Sequence, residues 1–192
     1  MSRKIRRVRY SLEPQKKELS VFELKTILRG ADELIMKGGR SLLAKILKGS
    51  RDKTLKEKKL DKCPVYGSFR ELALREITAK VDRAIVDGYL DIEYDYRLPL
   101  LVFTDRGWEI EMDTYSDELL KGFDLMIEKG MLLDMCYLKG RNRPMIFLFL
   151  DKVAATKNSK YIPLLRVWEK IDYRKIIAKI NWVIRQIESV KV

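Results

Sequence analysis

Between Ser20 and Gly88 the apolar residues recur at helical spacing in runs that halt at glycines, and the chain then switches at once to a two-residue period. Few small folds accommodate that order. Ser20, with Glu23 three residues on, has the form of a capping box. Val21, Leu24, Ile27 and Leu28 share one face of the helix it opens, which is expected to end at Gly30. After Leu34, Ile35 and Met36 the chain breaks at Gly38 and Gly39. A second helix then carries Leu42, Leu43, Ile46 and Leu47 inward as far as Gly49. Residues 51–62 read as a lysine-rich connector containing one short helix through Leu55 and Leu60, and Pro64 and Gly67 mark a turn. The third helix is the clearest, with Leu74, Ile77, Val81, Ala84 and Ile85 in period until Gly88. Tyr89, Leu90, Ile92 and Tyr94 then alternate as a strand, Asp95 to Arg97 turn, and Leu98 to Thr104 returns, with Pro99 at an edge position. Three helices followed by a hairpin is the winged-helix plan, a shape used to grip duplexes. Thr104 to Trp108 reads as the close of the wing.

The remaining third is helical. A linking helix is expected over 114–128, with Leu119, Leu120, Phe123 and Ile127 inward. Others follow at about 144–156, 161–170 and 173–189, the last amphipathic through Ile176, Ile180, Val183 and Ile187. Part of this stretch is similar to a HEAT-like helical repeat, and one or two such units cannot bury their faces alone. The expected fold class is therefore mainly α (α+β): a winged helix with a two-stranded β-wing, followed by a small all-helical module. The expected division is a basic arm over 1–19, the winged helix over 20–113 and the helical module over 114–192.

What the chain lacks narrows the chemistry. It has no histidine, which excludes Ser-His-Asp and Cys-His catalysis and histidine metal sites. Cys63 and Cys136 stand far apart, suiting neither a disulfide framework nor a zinc site. There is no phosphate-loop motif and no carboxylate pair in an apolar setting, so neither enzymatic activity nor a cofactor is expected. The longest apolar run, Met145 to Leu150, is far short of the roughly 20 residues a membrane span needs, and no apolar stretch follows the basic start as in a signal peptide. A cytoplasmic protein without a membrane partner is expected.

The net charge of +12 is unevenly spread: residues 1–62 carry +11, residues 63–125 carry −7 and residues 126–192 carry +8. Folding does not require such lopsidedness, whereas a phosphate backbone rewards it through counterion release. The arm, with Arg3, Lys4, Arg6, Arg7 and Arg9 among Ile5, Val8 and Tyr10, reads as a mobile tail suited to lie along phosphates.

Several of these residues stand in a recognisable order. Leu28-Arg29-Gly30 closes the first helix and Lys62-Cys63-Pro64-Val65-Tyr66-Gly67 precedes the third. Ile85, Gly88, Tyr89 and Leu90 lead into the wing, and Phe103-Thr104-Asp105-Arg106-Gly107 follows it. On these residues the stretch Leu24 to Trp108 resembles the RQC domain, the winged helix that follows the motor in RecQ-family DNA helicases. The resemblance implies binding to duplex or branched DNA, chiefly through phosphates, with Arg29 beside Gly30 at the backbone. It places an aromatic residue at the wing tip, the position of Tyr96 beside Arg97, which in some members splits the terminal base pair. The start of the second helix, at Gly39, Arg40 and Ser41, offers free N–H groups to a phosphate, and Lys37, Lys45 and Lys48 add sequence-independent attraction. The motor and zinc module that precede this domain in RecQ proteins are missing. The wing is acidic at Asp91, Glu93 and Asp95, so its strands repel phosphates. Two functions are therefore in play: a DNA-binding protein without its own motor, and a protein-interaction adaptor docking a DNA repair or replication enzyme. The adaptor requires an exposed apolar patch on the C-terminal helices.

Overall fold

A computed structural model describes residues 8–130 and 134–189. The chain divides into two compact units, Met1–Glu111 and Met112–Val192.

The first unit is a winged helix. Helix α1 (Val21–Asp32) is opened by the expected capping box: the Glu23 N–H donates to Ser20 Oγ, and the Ser20 N–H donates to Glu23 Oε2. It does not stop at Gly30, which lies inside it. A Cβ there would stand 2.9 Å from Leu43 Cδ1 and 3.2 Å from Val65 Cγ2, so this glycine lets α1 approach its neighbours closely. Helix α2 (Arg40–Lys48) buries Leu43, Ala44, Ile46 and Leu47. The connector holds a short helix α3 (Lys53–Glu57), capped by Asp52, and a 3-10 turn over Leu60–Lys62. Leu55 and Leu60 anchor both segments in the core. Helix α4 (Leu74–Val86) contributes Ile77, Val81 and Ala84 to the same core. Each fully buried Ile, Leu or Val side chain contributes about 1.5–3 kcal/mol of burial free energy.

The wing is an antiparallel pair, β1 (Leu90–Asp95) and β2 (Leu98–Phe103), in register from Leu90 opposite Phe103 to Asp95 opposite Leu98. Tyr96 and Arg97 form a two-residue tip. Beyond the pair, Met36 N–H donates to Leu101 O at 3.1 Å and Leu101 N–H donates to Gly38 O at 3.0 Å. The stretch before α2 thereby covers the outer edge of β2 at Leu101.

Helix α5 (Asp105–Lys129) begins nine residues earlier than the sequence suggests. Thr104 caps it, its Oγ1 accepting from Gly107 N–H at 3.1 Å, so the residues read as the close of the wing are the first turn of a helix. A Cβ on Gly107 would lie 1.9 Å from the Tyr89 carbonyl oxygen, and only glycine allows that turn to sit against the strand entrance.

The second unit has its own core, contrary to the expectation that its helices could not bury their faces alone. Helices α6 (Arg143–Thr156), α7 (Ile162–Trp168) and α8 (Arg174–Glu188) surround an aromatic cluster with α5 residues. Phe123 meets Phe149 edge-on at 4.9 Å between ring centroids, and Trp168 stands 5.9 Å from Phe149. No helix among the described residues is long and apolar enough to cross a membrane.

Candidate nucleic-acid interface

A winged helix offers a duplex the outward side of its third helix, the start of its second and its wing. In this chain the first two are partly covered. The described part of the arm, residues 8–15, lies across them rather than extending as a mobile tail; Arg3, Lys4, Arg6 and Arg7 lie outside the described residues. Val8 N–H donates to Arg97 O at 3.0 Å, Tyr94 Oη donates to Val8 O at 2.7 Å, and the Tyr10 ring stands 6.1 Å from that of Tyr94. Further along, Glu13 N–H donates to Asp82 Oδ2 at 2.8 Å and Gln15 N–H to Ala79 O at 3.2 Å. Arg75, Thr78, Ala79 and Asp82, spaced as one stripe of α4, face this strap.

Asp82 ties the arrangement together. It is 1% exposed, and Arg40 Nη1 lies 2.7 Å from each of its carboxylate oxygens while also donating to Ser11 O at 2.8 Å. Arg40 therefore neutralises a buried carboxylate and closes the strap onto α2, while its side chain stays partly exposed. The start of α2 lines a groove shared with Val8 to Ser11, Ile92 and Pro99. There a Cβ on Gly39 would meet the Pro99 carbonyl oxygen at 2.7 Å.

Arg29, expected at the DNA backbone, is ion-paired and buried. It is 4% exposed, with Nη1 3.4 Å from Glu33 Oε1 and 3.7 Å from Asp32 Oδ2, and Nε 3.9 Å from Glu111 Oε1. Its charge is used inside the unit. Lys45 is half-exposed and held 2.6 Å from Asp52. That Lys45 hydrogen bond and the Thr54 N–H keep the Asp52 carboxyl below its ordinary range. Lys48 donates to Leu72 O at 2.8 Å and to Arg70 O, yet its ammonium faces no carboxylate among the described residues. Lys37 and Ser41 are exposed. Tyr96 is 63% exposed at the wing tip, and the Arg97 guanidinium lies 5.4 Å from its ring centroid. Asp91, Glu93 and Asp95 are all exposed and alternate along β1, so one face of the wing is acidic.

The surface that sequence reasoning passed over is the connector. Within residues 51–62 stand Arg51, Lys53, Lys56, Lys58, Lys59 and Lys62 against Asp52, Glu57 and Asp61. All six cations are exposed, and only Lys53 has a carboxylate partner among the described residues, Glu57 at 3.6 Å. Because Leu55 and Leu60 are buried, these charges are displayed on an ordered element. Exposed Arg70, with its Nε on Gly67 O, follows shortly after. The density of lysines was the available signal; that they are fixed and unneutralised required the fold.

A family model for the RQC domain matches residues 14–115, just over half of the 192 residues. No curated protein and no solved structure matches the chain.

Proposed function

Since the chain belongs to the RQC domain family, whose module binds DNA and is not catalytic, we propose that it binds duplex or branched DNA through phosphates, without a motor or catalytic centre of its own. The observation that carries the mode of binding is the ordered, unneutralised lysine surface of the α3 connector. Lys56, Lys58, Lys59 and Lys62, with Arg51 and Arg70, supply charge to the backbone, and Lys37 before α2 and Ser41, Lys45 and Lys48 on it extend it. Such contacts release counterions and read no bases, so binding is steeply salt-dependent and tolerant of sequence. The acidic face of β1 keeps the strands of the wing off phosphates, leaving its tip, Tyr96 and Arg97, to meet DNA at an end or a fork.

The adaptor reading has less support. Its apolar patch would lie on the C-terminal helices, where the large exposed apolar residues are Leu125, Tyr173 and Trp182. Lys179 Nζ sits 4.0 Å from the Trp182 ring centroid, which makes that position cationic.

The test is a triple variant, Lys56→Glu/Lys59→Glu/Lys62→Glu, with duplex binding followed by fluorescence anisotropy. A large loss of affinity at unchanged thermal stability supports the reading. Unchanged affinity removes the connector from the interface.

A further inference from the structure

In the second unit, residues 140–143 and 172–176 come together around an open cleft of 610 Å³, within the range of about 300–1,000 Å³ usual for ligand sites. Its rim carries Arg141, Arg143, Arg174 and Lys175, all exposed, against one carboxylate, Asp172. That carboxylate is already engaged: Asp172 Oδ2 accepts from Trp168 Nε1 and Oδ1 from Tyr173 N–H, each at 2.7 Å. Arg143, Arg174 and Lys175 have no hydrogen-bonded or ion-paired side-chain partner among the described residues. Arg141 is oriented by Tyr137 O, to which its Nε donates at 2.7 Å, and by the Tyr115 ring 5.0 Å away. Between the cations stands Tyr173, 61% exposed, with Lys139 Nζ 5.5 Å from its ring centroid. Elsewhere in this unit Lys152 is taken by Asp113 and Asp117, Arg166 by Glu169 and Lys179 by Asp151, whereas the cleft gathers four cations around one carboxylate that is already engaged.

We infer that this cleft is a second nucleic-acid site, taking a single strand: phosphates on Arg143, Arg174 and Lys175, and an unpaired base stacked on Tyr173. Cations alone would suit any polyanion. An exposed aromatic ring among them matches single-stranded nucleic acid, because every unpaired base presents a π-face to stack while a duplex hides it. The preference for nucleic acid over an acidic peptide rests on the DNA-binding reading of the winged helix. A chain with a phosphate-binding surface in one unit and a single-strand site in the other is equipped for DNA that contains both, as a fork does.

The full chain is titrated against a fluorescent oligothymidylate of about twelve nucleotides and, separately, a blunt duplex. Arg174→Glu/Lys175→Glu is expected to weaken single-strand binding roughly tenfold or more, and Tyr173→Ala at least about fivefold. Both should leave duplex binding and thermal melting unchanged. An iododeoxyuridine strand should photo-crosslink to the peptide containing Tyr173. Single-strand affinity unchanged in both variants, or crosslinks confined to the winged helix, would overturn the inference. So would displacement of the strand by polyglutamate as effectively as by unlabelled oligothymidylate, which would mark an acidic-peptide surface. Failure of duplex binding with single-strand binding intact would sink the winged-helix reading alone, so the two fail separately.

Discussion

Asp82 and Tyr96 show how single residues set what this surface can do. Asp82 is a buried carboxylate whose partners are Arg40 and the Glu13 amide, and removing one side of such a pair leaves the other uncompensated. Asp82→Ala is expected to cost about 3 kcal/mol in urea unfolding and to loosen residues 8–15, read as faster amide exchange at Glu13 and Gln15. Tyr96 holds φ at 52°, a region that disfavours a bulky side chain by about 1–2 kcal/mol, yet its ring is mostly exposed and, among the described residues, meets only the Arg97 guanidinium. Tyr96→Gly is accordingly expected to raise stability by about 1 kcal/mol while weakening binding to forked DNA. A variant no more stable than the parent would contradict the strain, and one binding forks equally well would remove the tip from the interface. Arg29 and Arg40 were legible as cations beside helix ends, but not as ion-paired ones. Asp32 and Glu33 stand three and four residues after Arg29, but Glu111 and Asp82 lie far along the chain, Asp82 42 residues from Arg40, and only the tertiary fold brings them to the two arginines.

Among the elements, periodicity marked α1, α2, α4 and the hairpin correctly because each buries a continuous stripe against the others. It failed where a glycine served packing instead of termination. Gly30 lies within α1, and Gly107 lies in the first turn of α5, against the Tyr89 carbonyl. Gly107→Ala is expected to destabilise the winged helix by about 1–3 kcal/mol through forced backbone movement, measured by urea unfolding. The connector was legible in composition but not in role, since nothing local says that Leu55 and Leu60 reach the core. If it holds phosphates, the triple glutamate variant lowers the slope of log affinity against log salt by about 0.9 per lost contact. A slope equal to that of the parent would place the phosphates elsewhere.

The molecule as a whole pairs a basic winged helix with a helical unit whose stability has its own pH signature. Burial, then the nearby Asp124 carboxylate, pushes Tyr161 up to about 12, and burial does the same for Tyr137. Both hydroxyls stay protonated in the folded unit at a pH where the unfolded chain, titrating near 10, loses its protons. Their contribution is therefore whole below pH 10 and lost as pH rises from 10 through 12. Tyr161→Phe should flatten that fall, followed by tyrosinate absorbance and thermal melting. The charge division along the chain was readable at once, but the surfaces that leave cations unneutralised were not, because neutralisation depends on partners distant in sequence.

The central claim, that the winged helix grips DNA by its phosphates, is tested most directly by anisotropy on the full chain with forked, blunt-duplex and single-stranded DNA over a salt series. Tight binding to fork and duplex that falls steeply with salt and is indifferent to base sequence is predicted. Absence of binding at low salt, or affinity unchanged from low to moderate salt, would contradict it.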